Sequence, residues 1–196
     1  GLDIPLVNAL EANDYAVYDG KQPLISAVNH SPLTFGGAGL IPADQTWDKP
    51  YSPLFKYSWS KVYPTLLEVA KVNEINPFDG FLMQYSNPLT GGHVMQTMGA
   101  AMQLLPAGFK GKAHKHTGSF VYQCAKGSGY TIINGQRFDW KERDIFCVPS
   151  WAWHEHHNAS DSEDACLFNF NDLPVIEGLG LFQGKEYTEN NGHQKV

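Results

Sequence analysis

The chain has 196 residues, a formal net charge of −6, 42% hydrophobic and only 17% charged residues, and 13% aromatics. That balance excludes a disordered chain and supplies enough apolar material for a domain with its own core. With Arg137 and Arg143 the only arginines, there is no basic stripe for a nucleic acid and no polybasic patch for a membrane surface.

Residues 1–57 carry weak periodicity and many breakers, among them Pro5, Pro23, Pro32, Gly36, Gly37, Pro42, Pro50 and Pro53. They predict an extended arm with at most a short helix near Asn8 to Asn13. Ordering such an arm is costly, so it must lie on a domain or a neighbouring subunit. Val62, Leu66, Val69, Ala70 and Asn73 recur at helical spacing and predict an amphipathic helix from Ser60 to Asn73. Ser58 or Ser60 can cap it, Pro64 is expected in its first turn, and Asn76-Pro77 marks the exit.

From Gly80 the pattern becomes that of short strands. Phe81 to Tyr85, Gly99 to Leu105, Ser119 to Ala125, Gly129 to Ile133, Gln136 to Trp140, Asp144 to Val148 and Asp164 to Phe170 are separated by turn-forming residues. Asn134-Gly135 predicts a two-residue type I′ hairpin. Many short strands without alternating helices indicate an all-β sandwich or barrel. The expected organisation is an arm plus helix over 1–79, a barrel over 80–183 and a frayed polar tail over 184–196. Cys124, Cys147 and Cys166 are odd in number and widely spaced, which predicts reduced, buried thiols. No apolar run reaches the ~20 residues of a membrane helix and no secretory pattern opens the chain, so a soluble, cytoplasmic protein is expected.

Five of the eight histidines lie between 114 and 157, as His114-Lys-His116 and His154-Glu-His156-His157. Residues two apart on a strand share a face, so His114 and His116 point together, as do His154 and His156. Two imidazoles from one strand and a third from a later one make one face of an octahedron and leave three adjacent positions open. His114 and His116, with a histidine of the His154/His156 face, are therefore the candidate metal ligands. His30, His93 and His193 are expected in solvent, and His157, off the period, is expected to point outward.

Gly108 to His116 resembles the first cupin motif, a glycine, five residues and then His-x-His. Arg143 to Asn158 resembles the second, with Pro149, His154 and Asn158 in place and Arg143 and Trp151 where glycines are usual. The glutamate that usually follows the first motif is absent; Phe120 and Val121 stand there. Asp48 to Tyr57, Asn87-Pro88 with Thr90-Gly91-Gly92, Leu104 to Phe109, Phe138-Asp-Trp140, Asp144 to Trp151 and Leu173-Pro-Val175 extend the likeness to the gentisate 1,2-dioxygenase type, two-cupin ring-cleaving enzymes. The match is to the linker and second, C-terminal cupin, with Gly1 to Val7 similar to the segment after a first barrel.

The resemblance implies a cupin double-stranded β-helix, or jelly-roll barrel. It implies Fe(II) at His114, His116 and His154, with Zn, Mn or Ni as other divalent occupants. It implies oxidative ring cleavage of a hydroxylated aromatic carboxylate such as gentisate, salicylate or a hydroxynaphthoate, with dioxygen as co-substrate. A homo-oligomer and an N-terminal cupin domain beyond this chain are the implied partners. His156 matches a position near substrate and is a candidate for taking the phenolic proton. Tyr122 stands where the catalytic barrel of the family carries an arginine that clamps the substrate carboxylate; it offers a hydrogen bond without charge. Two other readings follow from that departure. One is a non-catalytic cupin half that stabilises an assembly, and the other is a stand-alone metal-binding cupin of different activity.

Overall fold

The structure, a computed structural model, describes residues 43, 47, 49–54 and 56–196. Nearly all of the predicted arm, including the helix expected near Asn8 to Asn13, lies outside the described residues. The chain divides into two compact units, 1–58 with 86–95 and 59–85 with 96–196. In the first, the Asn87 to Gly92 loop closes with Asn87 N donating to Gly92 O at 2.9 Å, and Asn87 Oδ1 accepts from Leu89 N at 3.0 Å. The Tyr57 hydroxyl donates to Ser86 O at 2.6 Å.

The second unit begins with helix α1 (Trp59–Val72). Pro64 lies in its second turn and not, as the sequence suggested, in its first. The helix therefore gives up the backbone bond that residue 64 would donate to residue 60. Tertiary burial offsets that loss. Leu66 is buried, and Val62, Tyr63 and Ala70 pack with it on Phe81, Met83, Met102, Leu104 and Cys166.

Ten strands follow: β1 (Phe81–Gln84), β2 (Gly99–Leu105), β3 (His114–His116), β4 (Phe120–Lys126), β5 (Ser128–Ile133), β6 (Gln136–Lys141), β7 (Ile145–Val148), β8 (His154–Asn158), β9 (Ala165–Asn171) and β10 (Gly184–Glu186). They form two antiparallel sheets, in the orders β1-β2-β9-β4-β7 and β10-β3-β8-β5-β6. Phe120, Tyr122, Cys124, Val148 and Leu167 of the first sheet meet Trp140 of the second and Ala152 in one apolar core. The all-β jelly roll is as the sequence pattern suggested. A short helix α2 (Leu173–Gly178), with Pro at its start, was not anticipated.

Asn134 and Gly135 both have positive φ, 49° and 81°, as a type I′ turn demands. The expected frayed tail is instead docked: β10 pairs with β3, and the Gln194 side chain accepts from Gly135 N and donates to Ile132 O. Polar residues fit there because they satisfy backbone groups that would otherwise be orphaned. Cys124 and Cys166 are buried free thiols as expected, whereas Cys147 is exposed, since alternation on β7 turns it away from the core.

Arg143 and Trp151 occupy the two motif positions where glycine is usual, and both have positive φ, 78° and 64°. The turns they form require a conformation in which a Cβ is strained. Trp151 N donates to His116 O at 2.9 Å, so the strained turn braces a histidine strand. The Arg143 side chain is almost fully exposed and packs on nothing that would offset the strain. Arg143→Gly is therefore expected to stabilise the chain by about 1 kcal/mol, read as a higher urea midpoint with unchanged slope. A loss of stability would contradict strain at that turn.

Candidate metal centre

The register of β3 on β8 places His114 directly opposite His154. Directly opposed residues share a face, so the two rings meet inside the barrel, with centroids 4.3 Å apart. His116, two residues on from His114, joins them at 4.9 Å from His154 and 5.4 Å from His114. One ligand nitrogen from each of the three falls within 4.8 Å of the others.

The outer nitrogens of two of the three are held by the chain. His154 Nδ1 lies 2.9 Å from Ala152 O, and His116 Nδ1 lies 3.1 Å from Thr117 O. A carbonyl only accepts, so each Nδ1 carries the proton and each Nε2 presents a lone pair. His154 Nε2 is buried with no hydrogen-bond partner. A buried orphan acceptor is costly, and a cation is the partner that suits three converging imidazoles. His114 Nε2 lies 3.9 Å from the Asp79 carboxylate, which also accepts from Gln103 Nε2 at 3.3 Å.

Burial shapes the charge state. Desolvation is the main cause lowering the pKa of His116, His154 and His156, and the neighbouring histidines add to it. All three are thus kept neutral, the form that binds a metal. His156 is pushed down to about 3. It is fully buried beside the trio, with its ring 5.7 Å from His154 and 4.7 Å from Tyr122. Trp140 Nε1 donates to Thr131 Oγ1 at 3.0 Å, and that hydroxyl lies 2.8 Å from His156 Nδ1. The Thr131 hydroxyl thus links Trp140 to His156 and positions the imidazole, while His156 Nε2 has no hydrogen-bond partner.

Tyr122 is buried in the wall with Phe146 stacked on it at 5.2 Å. Burial, with a smaller contribution from Asp79, raises its pKa, so it remains a neutral phenol. Phe120 covers His116 at 4.7 Å. The sequence nominated His114, His116, His154, His156 and Tyr122, and the fold brings these five side chains together. It missed Asp79, Gln103 and the Trp140–Thr131 pair, which no spacing signals because they arrive from three separate segments. His157 is on the outer face, as expected, but buried. His193 was expected in solvent; its Nδ1 instead lies 3.2 Å from the buried Glu155 carboxylate, because the tail is docked. His93 is half-buried in the first unit, and His30 is outside the described residues.

Two facing antiparallel sheets with a His-x-His strand paired to a later histidine strand define a cupin, and residues 101–170 match the cupin domain family. The chain is 35% identical to a 5-aminosalicylate 1,2-dioxygenase from Comamonas, over all of this chain and 51% of the relative. It is 34% identical to gentisate 1,2 dioxygenase 1 of Aquipseudomonas alcaligenes, over 93% of this chain and 52% of that one. The crystal structure of salicylate 1,2-dioxygenase from Pseudaminobacter salicylatoxidans superposes with a TM-score of 0.72 at 27% identity, over 79% of this chain and 45% of that one. Over nearly its whole length the chain is similar to gentisate- and salicylate-type 1,2-dioxygenases, and it spans about half the length of the curated relatives it matches.

Neutral buried imidazoles make the metal-free chain sensitive to acid. Unfolded histidine titrates near its ordinary value of 6.5, whereas folded His156 does so only at about 3. As pH falls below 6.5 the unfolded state takes up protons that the folded state refuses. Stability is full above 6.5 and is lost progressively between 6.5 and about 3. In EDTA the urea midpoint is expected to fall between about pH 7.5 and about pH 5. An unchanged midpoint would mean that these rings are not buried neutral.

Proposed function

We propose that this chain is the C-terminal cupin portion of an Fe(II)-dependent ring-cleaving dioxygenase acting on a hydroxylated aromatic carboxylate. The observation that carries the reading is the convergence of His114, His116 and His154 with the orphaned Nε2 of His154 aimed among them. The names of the relatives support the substrate class, and the donor set suits Fe(II), although Zn, Mn or Ni would also fit three imidazoles. When bound, Fe(II) supplies a Lewis acid for the substrate hydroxyl and the redox chemistry needed with dioxygen.

The chain's own residues bind and orient the ring. Phe120, Tyr122 and Phe146 form an aromatic wall beside the histidines. Tyr122 can give the carboxylate one hydrogen bond. Arg137 lies over the Tyr130 ring on the outer surface and the Arg143 side chain is exposed, so no guanidinium serves as an anion clamp. His156, its pKa pushed down to about 3, is a poor base, and with its Nε2 unpartnered it serves as a donor to developing negative charge on substrate rather than as the base that the sequence suggested. A low-dielectric wall makes such a donor effective.

That missing clamp favours a second reading, in which this cupin half is structural and the catalytic centre lies in a partner barrel. The two are separated by anaerobic Fe(II) loading, followed by oxygen uptake with gentisate, salicylate and 1-hydroxy-2-naphthoate. Turnover by wild type, and loss of both iron and turnover in His116→Ala, are expected. An iron-loaded chain that consumes no oxygen leaves the structural reading.

His156 has its own test. Gln can donate but cannot act as a base, so His156→Gln is expected to retain most of kcat, while His156→Leu loses about a hundredfold with iron content unchanged. Equal loss in both variants would restore the base.

A further inference from the structure

The strand that sends His154 and His156 inward sends Glu155 and His157 to the opposite face. Glu155 is only 1% exposed, yet among the described residues its ion-pair partners are His157 and His193 alone. A carboxylate this buried requires a positive charge beside it. Its Oε1 lies 3.5 Å from His157 Nε2, and its Oε2 lies 3.2 Å from His193 Nδ1. His157 is 4% exposed, and neither of its ring nitrogens has a hydrogen-bond partner. One ligand atom from each of the three residues falls within 4.8 Å of the others.

We propose that Glu155, His157 and His193 form a second divalent-cation site of the zinc class, which clips the C-terminal segment to the outer face of the barrel. Two imidazoles and one carboxylate are a zinc donor set, and bonds of about 2.0–2.2 Å imply donor separations near ~3.4 Å. The two Glu155 distances bracket that value. The site is prepared on each side. Tyr130 stacks on His157 at 4.5 Å and 7°, and Arg137 covers the far face of Tyr130 at 3.7 Å. His193 is positioned by its neighbour Gln194, which bonds Gly135 N and Ile132 O. The His193 side chain is about one-third exposed, leaving a solvent side for a water as the fourth ligand. A bound ion would satisfy the carboxylate and the orphaned His157 nitrogen together.

The site uses none of the inward histidines, so it stands or falls independently of ring cleavage. In a His114→Ala/His116→Ala chain, zinc titrated against a chromophoric chelator is expected to bind at one equivalent. Adding His193→Ala abolishes it. Cobalt(II) in the same background gives the visible bands of a four-coordinate site, again lost with His193→Ala. In the wild-type chain, His193→Ala lowers the zinc taken up by one equivalent, which keeps the test valid if the double variant folds poorly. Trypsin cleavage after Lys185 slows roughly a hundredfold at zinc a hundred times its dissociation constant. Zinc uptake unchanged by His193→Ala, or cleavage equally fast in zinc and in EDTA, overturns the proposal.

Discussion

His114 and His154 face each other across β3 and β8, and that single register decides where every other ligand points. Strand side chains alternate, so His116 and His156 follow the pair inward while Lys115, Glu155 and His157 are turned out. A slip of one residue would bring Glu155 and His157 into the barrel and expel His154 and His156. Several features pin the register. β10 pairs with the far edge of β3, and β5 pairs with β8 along its whole length. Asn158 at the end of β8 donates to Leu105 O, Pro106 O and Glu163 O, which ties that strand to β2 and to the turn before β9.

Burial then does chemical work on the two faces. Inside, low polarity keeps the imidazoles neutral, and backbone carbonyls hold the outer nitrogens of His116 and His154 so that their lone pairs converge. Outside, the docked C-terminal segment removes Glu155 and His157 from water, which makes a carboxylate there dependent on its histidine neighbours. The same five-residue strand thus presents neutral donors to one side and an anionic group to the other. Trp140 and Thr131 extend this control to His156 by holding its Nδ1.

Likeness to these dioxygenases does not by itself make this chain catalytic. The histidine trio is complete, whereas the position of the family's carboxylate clamp holds a neutral, buried phenol. With both arginines on the outer side of the barrel, a bound metal would be the main attraction for an anionic substrate. The strained turns at Arg143 and Trp151 show a related point, that this sequence keeps the backbone path of the motif without its glycines. The path is retained because it braces the histidine strands, as the Trp151 to His116 hydrogen bond illustrates.

The strands, the Asn134-Gly135 hairpin and the inward trio were legible in the sequence because each is encoded locally, by alternation, turn chemistry and His-x-His spacing. The helix was legible in outline, but Pro64 misplaced its start because packing of Leu66 outweighed one lost backbone bond. Residues brought together from distant segments were not legible. Asp79, just before β1, reaches His114, Gln103 on β2 bonds Asp79, and the Trp140–Thr131 pair depends on the β5–β6 register. His193 looked like a solvated tail residue because nothing in its neighbourhood shows that Gln194 will satisfy two backbone groups of a hairpin. The sequence by itself determined which side chains could share a strand face; the tertiary structure decided which faces meet and which are covered, since only long-range pairing sets distance and burial.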